Sequence, residues 1–288
     1  MWFGGDEVLH TGKFALDGIK TIWVRSSSHD ICFFHTEETE LVIKEYGSDV
    51  NAKVEKRGED TLCIETSEEK HHFWFNRGIY IGKSCKTELY VPEGFRGQIY
   101  AESGSGDIVF DSAWSVQNLQ IKTHSGDISI KNMRAEHILV ESESGDVDVE
   151  EAWGDRQFFT HSGDICVERG TGCMHAETQS GDMDIKELDA GTKIGSASGD
   201  ICAGFRTVGG QAEIFTTSGD IDVKIAADSC FGLEATTVSG DIVTHLEHTR
   251  TSAQGENHVV AWTGSDMDKQ KTSGIHVSSV SGDISLHN

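Results

Sequence analysis

Nine aspartates stand at regular intervals over most of this 288-residue chain, each directly after a glycine. They are Asp107, Asp127, Asp146, Asp164, Asp182, Asp200, Asp220, Asp241 and Asp283. Such a column of carboxylates either holds calcium between successive turns or accepts hydrogen bonds from N–H groups of the turns themselves. The second use is favoured, because calcium-binding rolls supply more carboxylate and glycine positions in each turn. We expect no cofactor.

A second cluster with metal-binding chemistry is formed by His124, Glu143 and His161, which occupy the same position in three consecutive copies, two residues before the glycine. Imidazole and carboxylate groups suit a transition metal. If the copies stack at strand spacing, however, the two histidines lie about 9.6 Å apart and must lean together to share an ion. A chance arrangement is favoured in a chain with 14 histidines.

The third residue before each glycine always carries a hydroxyl group. These residues are Ser103, Thr123, Ser142, Thr160, Thr178, Ser196, Thr216, Thr237 and Ser279. A serine or threonine nucleophile needs a neighbouring base, and none recurs beside this column. We therefore expect the hydroxyls to bond to the backbone or to one another inside a narrow corner, and we expect no catalytic residues and no enzyme activity.

Each glycine and aspartate belongs to one four-residue phrase, Ser-Gly-Asp followed by Ile, Val or Met. Its glycines are Gly106, Gly126, Gly145, Gly163, Gly181, Gly199, Gly219, Gly240 and Gly282. Successive glycines are 20, 19, 18, 18, 18, 20, 21 and 42 residues apart, and a fixed period of this size is typical of stacked solenoid coils. The phrase is predicted to form the turn of each coil, with positive φ at glycines such as Gly163.

Apolar or small residues alternate with polar ones on both sides of the phrase, at the seventh, fifth and third positions before the glycine and the second and fourth after it. Period-two alternation indicates strands with one buried face. A single hairpin cannot bury that face, so each copy must stack on the next, about 4.8 Å away. The sequence therefore predicts an all-β, single-stranded parallel β-solenoid (β-helix), right-handed, with about ten coils of 18–21 residues.

Residues 1–97 lack clean copies but keep β-rich runs, so they are predicted to form an irregular N-terminal β cap continuous with the repeat region at 98–288. Ser28–Ile31 matches the phrase with histidine in place of glycine, and Gly47–Val50 is a weaker match. We expect at least the first of these to be a degenerate copy within the same stack.

The interval between Gly240 and Gly282 has twice the usual length. It contains a damaged copy at Gly264–Met267 and a polar insertion at about 247–257, which is predicted to project as a loop. Because few residues follow Gly282, the final coil is expected to need a cover over its edge. The insertion is favoured for that role, and a monomer is favoured over an end-to-end homodimer.

Composition restricts the partners and the compartment. The net charge of −24 and the pI near 4.8 oppose binding to nucleic acid or to anionic lipid. The seven cysteines lack metal-site spacing, and Cys166 and Cys202 lie two coils apart, beyond disulfide reach. Reduced thiols, the lack of a signal peptide and the lack of an apolar segment long enough to span a membrane predict a cytoplasmic protein. Association with the cell envelope or surface is the alternative.

The recurrent phrase, with a Ser/Thr-rich strand before it, resembles the bacterial β-strand-repeat domain of unknown function often labelled "putative adhesin". The segment Val277–Leu286 is especially similar, and the match extends over roughly residues 85–288. The resemblance implies a β-solenoid from a bacterium, with some members linked to the cell envelope and its stress responses. No catalytic residues are defined for the family.

We therefore expect a non-enzymatic, adhesin-like scaffold that offers a long acidic surface to another protein or to an envelope component. Three alternatives remain open. They are a carbohydrate-binding surface that uses exposed aromatics such as Phe159 and Phe215, a polysaccharide-cleaving β-helix, and a calcium-binding β-roll.

Overall fold

The computed structural model describes residues 8–47, 52–66, 85–188, 191–247, 249–263 and 274–288. Within these ranges the regular structure consists of 25 strands, and the all-β prediction is confirmed. No helix in the described ranges is long and apolar enough to cross a bilayer. The strands are β1 (Val8–Ala15), β2 (Thr21–Ser26), β3 (Asp30–Thr36), β4 (Glu40–Tyr46), β5 (Lys53–Arg57), β6 (Thr61–Thr66), β7 (Lys86–Pro92), β8 (Gln98–Ser103), β9 (Ile108–Ser115), β10 (Asn118–Thr123), β11 (Ile128–Ser142), β12 (Val147–Thr160), β13 (Ile165–Thr171), β14 (Met174–Thr178), β15 (Met183–Leu188), β16 (Thr192–Ser196), β17 (Ile201–Phe205), β18 (Gln211–Ser218), β19 (Ile221–Ile225), β20 (Gly232–Ser239), β21 (Ile242–His245), β22 (Thr249–Gln254), β23 (His258–Thr263), β24 (Gly274–Ser281) and β25 (Ile284–His287).

The strands of the repeat region form two columns. Column 1 contains the strands that precede each phrase glycine, and column 2 contains those that follow it. In both columns equivalent residues of successive copies pair in parallel, for example Ile121 with Val140 and Ile128 with Val147. The long strands β11 and β12 bend from column 2 into column 1 and contribute to both.

The core is one continuous cluster between the two columns, from Ile19 to Leu286. It forms because the period-two alternation turns the same positions inward in every copy, as the buried–exposed pattern of β19 illustrates. Phe110, Phe158 and Ile214 are fully buried members. Each such side chain contributes about 1.5–3 kcal/mol by leaving water, which offsets the entropy cost of ordering the coil.

At the C-terminal end the order in space differs from the order in sequence. β24 lies between β18 and β20, and β25 lies between β19 and β21. The last copy of the phrase is therefore inserted under the copy that precedes it, and residues 232–245 form the outer coil. The expectation that the C-terminal coil lies open at the end of the stack is wrong, because both of its edges are already paired.

The strand that follows the polar insertion covers the outer coil instead, and the insertion itself pairs outside that strand. β23 pairs antiparallel with β20, and β22 pairs antiparallel with β23. The carbonyls of Glu256 and Asn257 accept the N–H groups of Ile242 and Thr237 at 3.1 and 3.0 Å. The prediction of a projecting loop is wrong for 249–254, which forms a strand, because the outer edge of β23 offers unpaired backbone groups that β22 satisfies.

The N-terminal end repeats this arrangement. β2 lies between β6 and β8, and β3 lies between β7 and β9. The degenerate copy at Ser28–Ile31 is confirmed, since Ile31 pairs with Ile108 in the register of the other copies. Antiparallel strands β4 and β1 continue outside β7, and β5 continues outside β6. The weaker match at Gly47–Val50 lies outside the described residues after its glycine, and the damaged copy at Gly264–Met267 lies wholly outside them.

The inserted position of the C-terminal coil predicts a strong effect of one substitution within it. Val277 is fully buried between β18 and β20, whereas Val280 in the same strand is 49% exposed. Val277→Asp should lower the free energy of unfolding by more than about 3 kcal/mol, because it buries an unpaired carboxylate. Val280→Asp should change it by less than about 0.5 kcal/mol.

Urea unfolding measures both changes, and amide hydrogen exchange locates them. Because β20 has β24 beneath it, Val277→Asp should also speed exchange in β20. Unchanged protection of β20 in that variant would contradict the inserted order.

Candidate functional site

The hydroxyl column lies at the inner side of the turns, as predicted. All nine hydroxyl residues are buried. In several copies the hydroxyl oxygen accepts the N–H of the phrase glycine, as from Gly106 to Ser103 at 2.9 Å and from Gly145 to Ser142 at 2.8 Å. In others the hydroxyl donates to a glycine carbonyl, as from Thr160 to Gly163 at 2.6 Å. These groups are therefore occupied in holding the turn.

The phrase glycines are required by space and not by backbone conformation. The described glycines with positive φ are Gly18, Gly47, Gly58, Gly154 and Gly172, so the prediction of positive φ in the phrase is wrong. A Cβ atom at Gly163 would lie 2.0 Å from the carbonyl oxygen of Gly145 in the neighbouring turn. Successive turns stack so closely at this point that any side chain would separate them.

The phrase aspartates form a ladder along the stack. From Asp30 to Asp283 in spatial order, the Oδ1 atom of each aspartate accepts the backbone N–H of the aspartate in the next turn, at 2.8–3.1 Å, and Asp241 is the last donor. In spatial order the ladder runs through Asp30, Asp107, Asp127, Asp146, Asp164, Asp182, Asp200, Asp220, Asp283 and Asp241.

The carboxylates accept backbone N–H groups of the turns, and each capped N–H belongs to the adjacent coil rather than to the same turn. Neighbouring carboxylates at coil spacing repel by about 0.9 kcal/mol in water. A hydrogen bond to a charged acceptor contributes about 1.5–3 kcal/mol, so the ladder is stabilising overall.

An open groove of about 850 Å³ runs beside the ladder on column 2. Its polar lining combines five ladder aspartates with the outward Asp184 and Asp222. Cys166, Cys202 and Val243 lie between or beyond them. The lining contains no Lys or Arg, although the Lys186 ammonium contacts Asp184 at 3.1 Å from the side. The groove therefore combines a row of carboxylates with thiol and apolar groups, and the apolar groups make up most of its exposed surface.

The groove and the ladder occur within a region recognised by one family model, Toastrack DUF4097, which matches residues 19–287. The chain belongs to the Toastrack DUF4097 family. No curated protein matches the chain. The description of that family as a Ser-Gly-Asp repeat family stays a prediction.

Two solved structures are similar to this Toastrack chain over nearly its whole length. One is described as a "putative cell adhesion protein" from Clostridium sporogenes, with 11% identity, coverage of 96% of this chain and 97% of that one, and a TM-score of 0.28. The other is described as a "putative adhesin" from Bacteroides fragilis, with 11% identity, coverage of 96% of each chain and a TM-score of 0.44.

The two groove cysteines of the Toastrack chain are free thiols. Burial raises the pKa of the Cys166 thiol, and the neighbouring Asp148 and Asp184 raise it further. The pKa of Cys202 is raised in the same way by burial and then by Asp184 and Asp222. Both side chains therefore favour the protonated form, which is a weak nucleophile.

The predicted histidine cluster of the Toastrack chain comes together only in part. His124 Nδ1 lies 2.5 Å from a carboxylate oxygen of Glu143, and both side chains are exposed. His161 follows in the next coil and is exposed, but none of the ion pairs found among the described residues involves it. In the part of the chain that the structure describes, no three His, Cys, Asp or Glu side chains are placed to hold a metal ion.

Sequence reasoning missed one network on the outward face of column 1. His175 and Lys193 both contact the Glu177 carboxylate, between the two aromatics Phe159 and Phe215 that the sequence singled out. The sequence does carry a signal for this network. All five residues stand four or six places before a phrase glycine, and outward residues at those positions become neighbours when adjacent copies stack.

The close stacking of the turns predicts that one glycine tolerates alanine and another does not. Gly163→Ala should cost about 1–3 kcal/mol or more, because its Cβ would overlap a backbone carbonyl. Gly204→Ala is the control, since the nearest atom to its Cβ lies at 3.6 Å and its φ is not positive. It should be neutral or slightly stabilising. Equal effects in chemical denaturation would refute the steric explanation.

The ladder predicts a difference between two substitutions of one aspartate. Asp164→Asn keeps an oxygen for the N–H of Asp182 and should cost less than about 0.5 kcal/mol, whereas Asp164→Ala removes it and should cost about 1–2 kcal/mol. Asp148→Ala, at an exposed position outside the ladder, serves as the control.

Thermal melts with and without calcium separate capping from metal binding at the ladder. A large calcium-dependent rise in Tm of the wild type that Asp164→Asn abolishes would contradict the capping role.

Proposed function

We propose that this protein is a non-enzymatic, adhesin-like scaffold that binds another protein or a cell-envelope component along its acidic groove. The observation that carries the proposal is the groove itself, in which seven carboxylates face one continuous surface without a lining Lys or Arg. Such a surface attracts a partner with complementary positive charge and accelerates the encounter with it.

Rigidity supports a binding role. The ladder carboxylates are held by hydrogen bonds to the backbone of the next turn, and the strands beneath them are paired on both sides. A partner that binds such a surface does not have to order it, so less free energy is lost on association. The repetition of one spacing also suits an extended partner that contacts several coils.

The repeated chemistry of the groove supports a non-enzymatic role. Hydrolysis of a glycosidic bond requires two local carboxyl groups with different functions, an acid and a base or nucleophile. The groove instead repeats one side chain in one environment from coil to coil. The raised pKa values of Cys166 and Cys202 do not favour a thiolate nucleophile.

The finer features of this scaffold belong to the same proposal. We take it to be right-handed with about ten coils, on the crossover preference of parallel strands. Seven free cysteines support a reducing compartment such as the cytoplasm, with the cell envelope as the alternative. The antiparallel strands that cover outer strands of the stack at both ends support a monomer.

A charge-reversal experiment tests the groove. Asp184→Lys combined with Asp222→Lys changes the net charge by as much as Glu37→Lys combined with Glu136→Lys, which alters exposed sites elsewhere. The groove variant should bind a lysine peptide of about ten residues at least about ten-fold more weakly than the wild type in fluorescence anisotropy, and the control should not.

The same two variants serve as baits for affinity capture from native cell extract. A partner held by the wild type and the control but lost by the groove variant supports the proposal. Equal weakening of binding by both variants would show that only the net charge matters and not the groove. An enzymatic turnover activity that is abolished by changing one local cluster of residues would overturn the non-enzymatic role.

A further inference from the structure

We propose that the outward face of column 1 carries a second binding site, for an uncharged, hydroxyl-rich polysaccharide. The site is a strip formed by Phe159, His175, Glu177, Lys193 and Phe215. It lies on the strands that precede the phrase, whereas the acidic groove lies on those that follow it. It therefore stands independently of the groove.

The five side chains of the strip contact one another in sequence across four coils. The rings of Phe159 and His175 meet edge to face, with centroids 5.1 Å apart. His175 Nε2 and Lys193 Nζ each lie 2.7 Å from Glu177 Oε1. The Lys193 ammonium lies 5.4 Å from the centroid of the Phe215 ring. The strip is thus a connected surface and not a set of separate residues.

The Phe215 ring lies flat on the sheet. Gly195 pairs with Phe215 on the adjacent strand. A Cβ atom at Gly195 would lie 2.1 Å from Cζ of the ring and 2.5 Å from both Cε atoms. Those three distances place the Cβ directly beneath Cζ along the normal to the ring, because an in-plane approach would leave both Cε atoms about 3 Å away. One face of the ring therefore covers the glycine and the other faces away from the sheet.

Phe159 supplies a second aromatic group in the same line. The pairs Phe159–Glu177, Glu177–Gly195 and Gly195–Phe215 are in register, so the two phenylalanines are three strand spacings apart, about 14 Å. Aromatic faces offer a large apolar area that stacks on the C–H faces of sugar rings. Two aromatic groups at this distance suit a chain of sugars rather than a single one.

Polar groups between the two aromatics suit hydroxyl groups. Both contacts to Glu177 use Oε1, which leaves Oε2 to accept from a ligand, and the Glu177 side chain is 37% exposed. Hydrogen bonds from Lys193 and His175 lower the pKa of Glu177, so it remains an acceptor. Lys193, 44% exposed, can donate. Fixed acceptors and donors beside an aromatic face are the groups that orient a sugar ring.

Charge distinguishes this face from the groove. The strip carries one carboxylate against one ammonium, and a recess of about 210 Å³ beside Phe159 adds Lys122 with Glu141 and Glu143, so this face is close to balanced with a small negative excess. In a chain with a net charge of −24, this balance favours an uncharged polymer over a polycation or a polyanion. The shallow form of the recess allows such a polymer to continue past Phe159.

Affinity electrophoresis of the full-length protein through gels that contain soluble glucan, galactan, mannan or arabinoxylan tests the proposal, with polygalacturonate as the charged comparison. At least one neutral polymer should retard the wild type. Phe215→Ala and Glu177→Gln should each weaken that retardation about ten-fold. Trp153→Ala is the matched control, because it removes an aromatic with a cation 4.5 Å from its ring on column 2.

Two further variants separate binding from folding. Phe215→Trp keeps a flat aromatic and should retain binding, whereas Gly195→Ala keeps Phe215 but displaces its ring and should lose it. Thermal melts verify that each variant is folded. Failure of every neutral polymer to bind, retardation by polygalacturonate alone, or full binding by folded Phe215→Ala would each overturn the proposal. The Asp184→Lys/Asp222→Lys variant should bind the polymer normally, so this site and the groove fail or succeed separately.

Discussion

The stack depends on a single steric condition, which is that the turn of each coil from Gly106 onwards carries no side chain where it meets the neighbouring turn. At Gly163 a Cβ would lie 2.0 Å from the neighbouring glycine carbonyl, and the same overlap recurs in the other phrase copies. Only this close approach brings each aspartate N–H within 2.8–3.1 Å of the carboxylate in the adjacent turn. The ladder, the register of both columns and the groove beside them all follow from that contact.

The ends of the stack meet a second condition, which is that the outer strand of column 1 pairs with an antiparallel strand, β6 with β5 at one end and β20 with β23 at the other. At both ends, the coil that comes first or last in sequence lies one level inside the outermost coil in space. β2 and β3 are enclosed by later strands, and β24 and β25 are enclosed by earlier ones. Antiparallel strands then cover the outer coils. Antiparallel strands over the parallel coils reduce the edge-to-edge aggregation to which parallel coils are prone.

The sequence predicted much of this fold because the alternation and the period are both local properties. The pairing of Ile128 with Val147, and of Ile31 with Ile108, could be read directly from aligned copies of the phrase. The spatial order at the C-terminal end could not. Asp241 and Asp283 belong to copies with the same inward pattern, so either copy fits on Asp220 equally well by pattern alone.

The candidate sites were predictable to a lesser degree. A glycine in a turn has two possible causes, positive φ or lack of space, and the residue type alone does not distinguish them, so the conformation of Gly163 was predicted wrongly. The capping role of the aspartates was predicted, but the donor lies in another coil. The position of Phe215 over Gly195 likewise depends on residues 20 positions apart, which become neighbours only after stacking.

The central claim is that the turns stack through this glycine contact in the order given by the ladder, with the last copy inserted. Hydrogen-bond scalar couplings measured by NMR on the deuterated protein test it most directly. The inserted order predicts couplings from the Ile221 nitrogen to the Asp283 carbonyl carbon and from the Ile284 nitrogen to the Asp241 carbonyl carbon, across bonds of 2.9 Å. A coupling from Ile221 to Asp241 instead would place the coils in sequence order and rule out the inserted order.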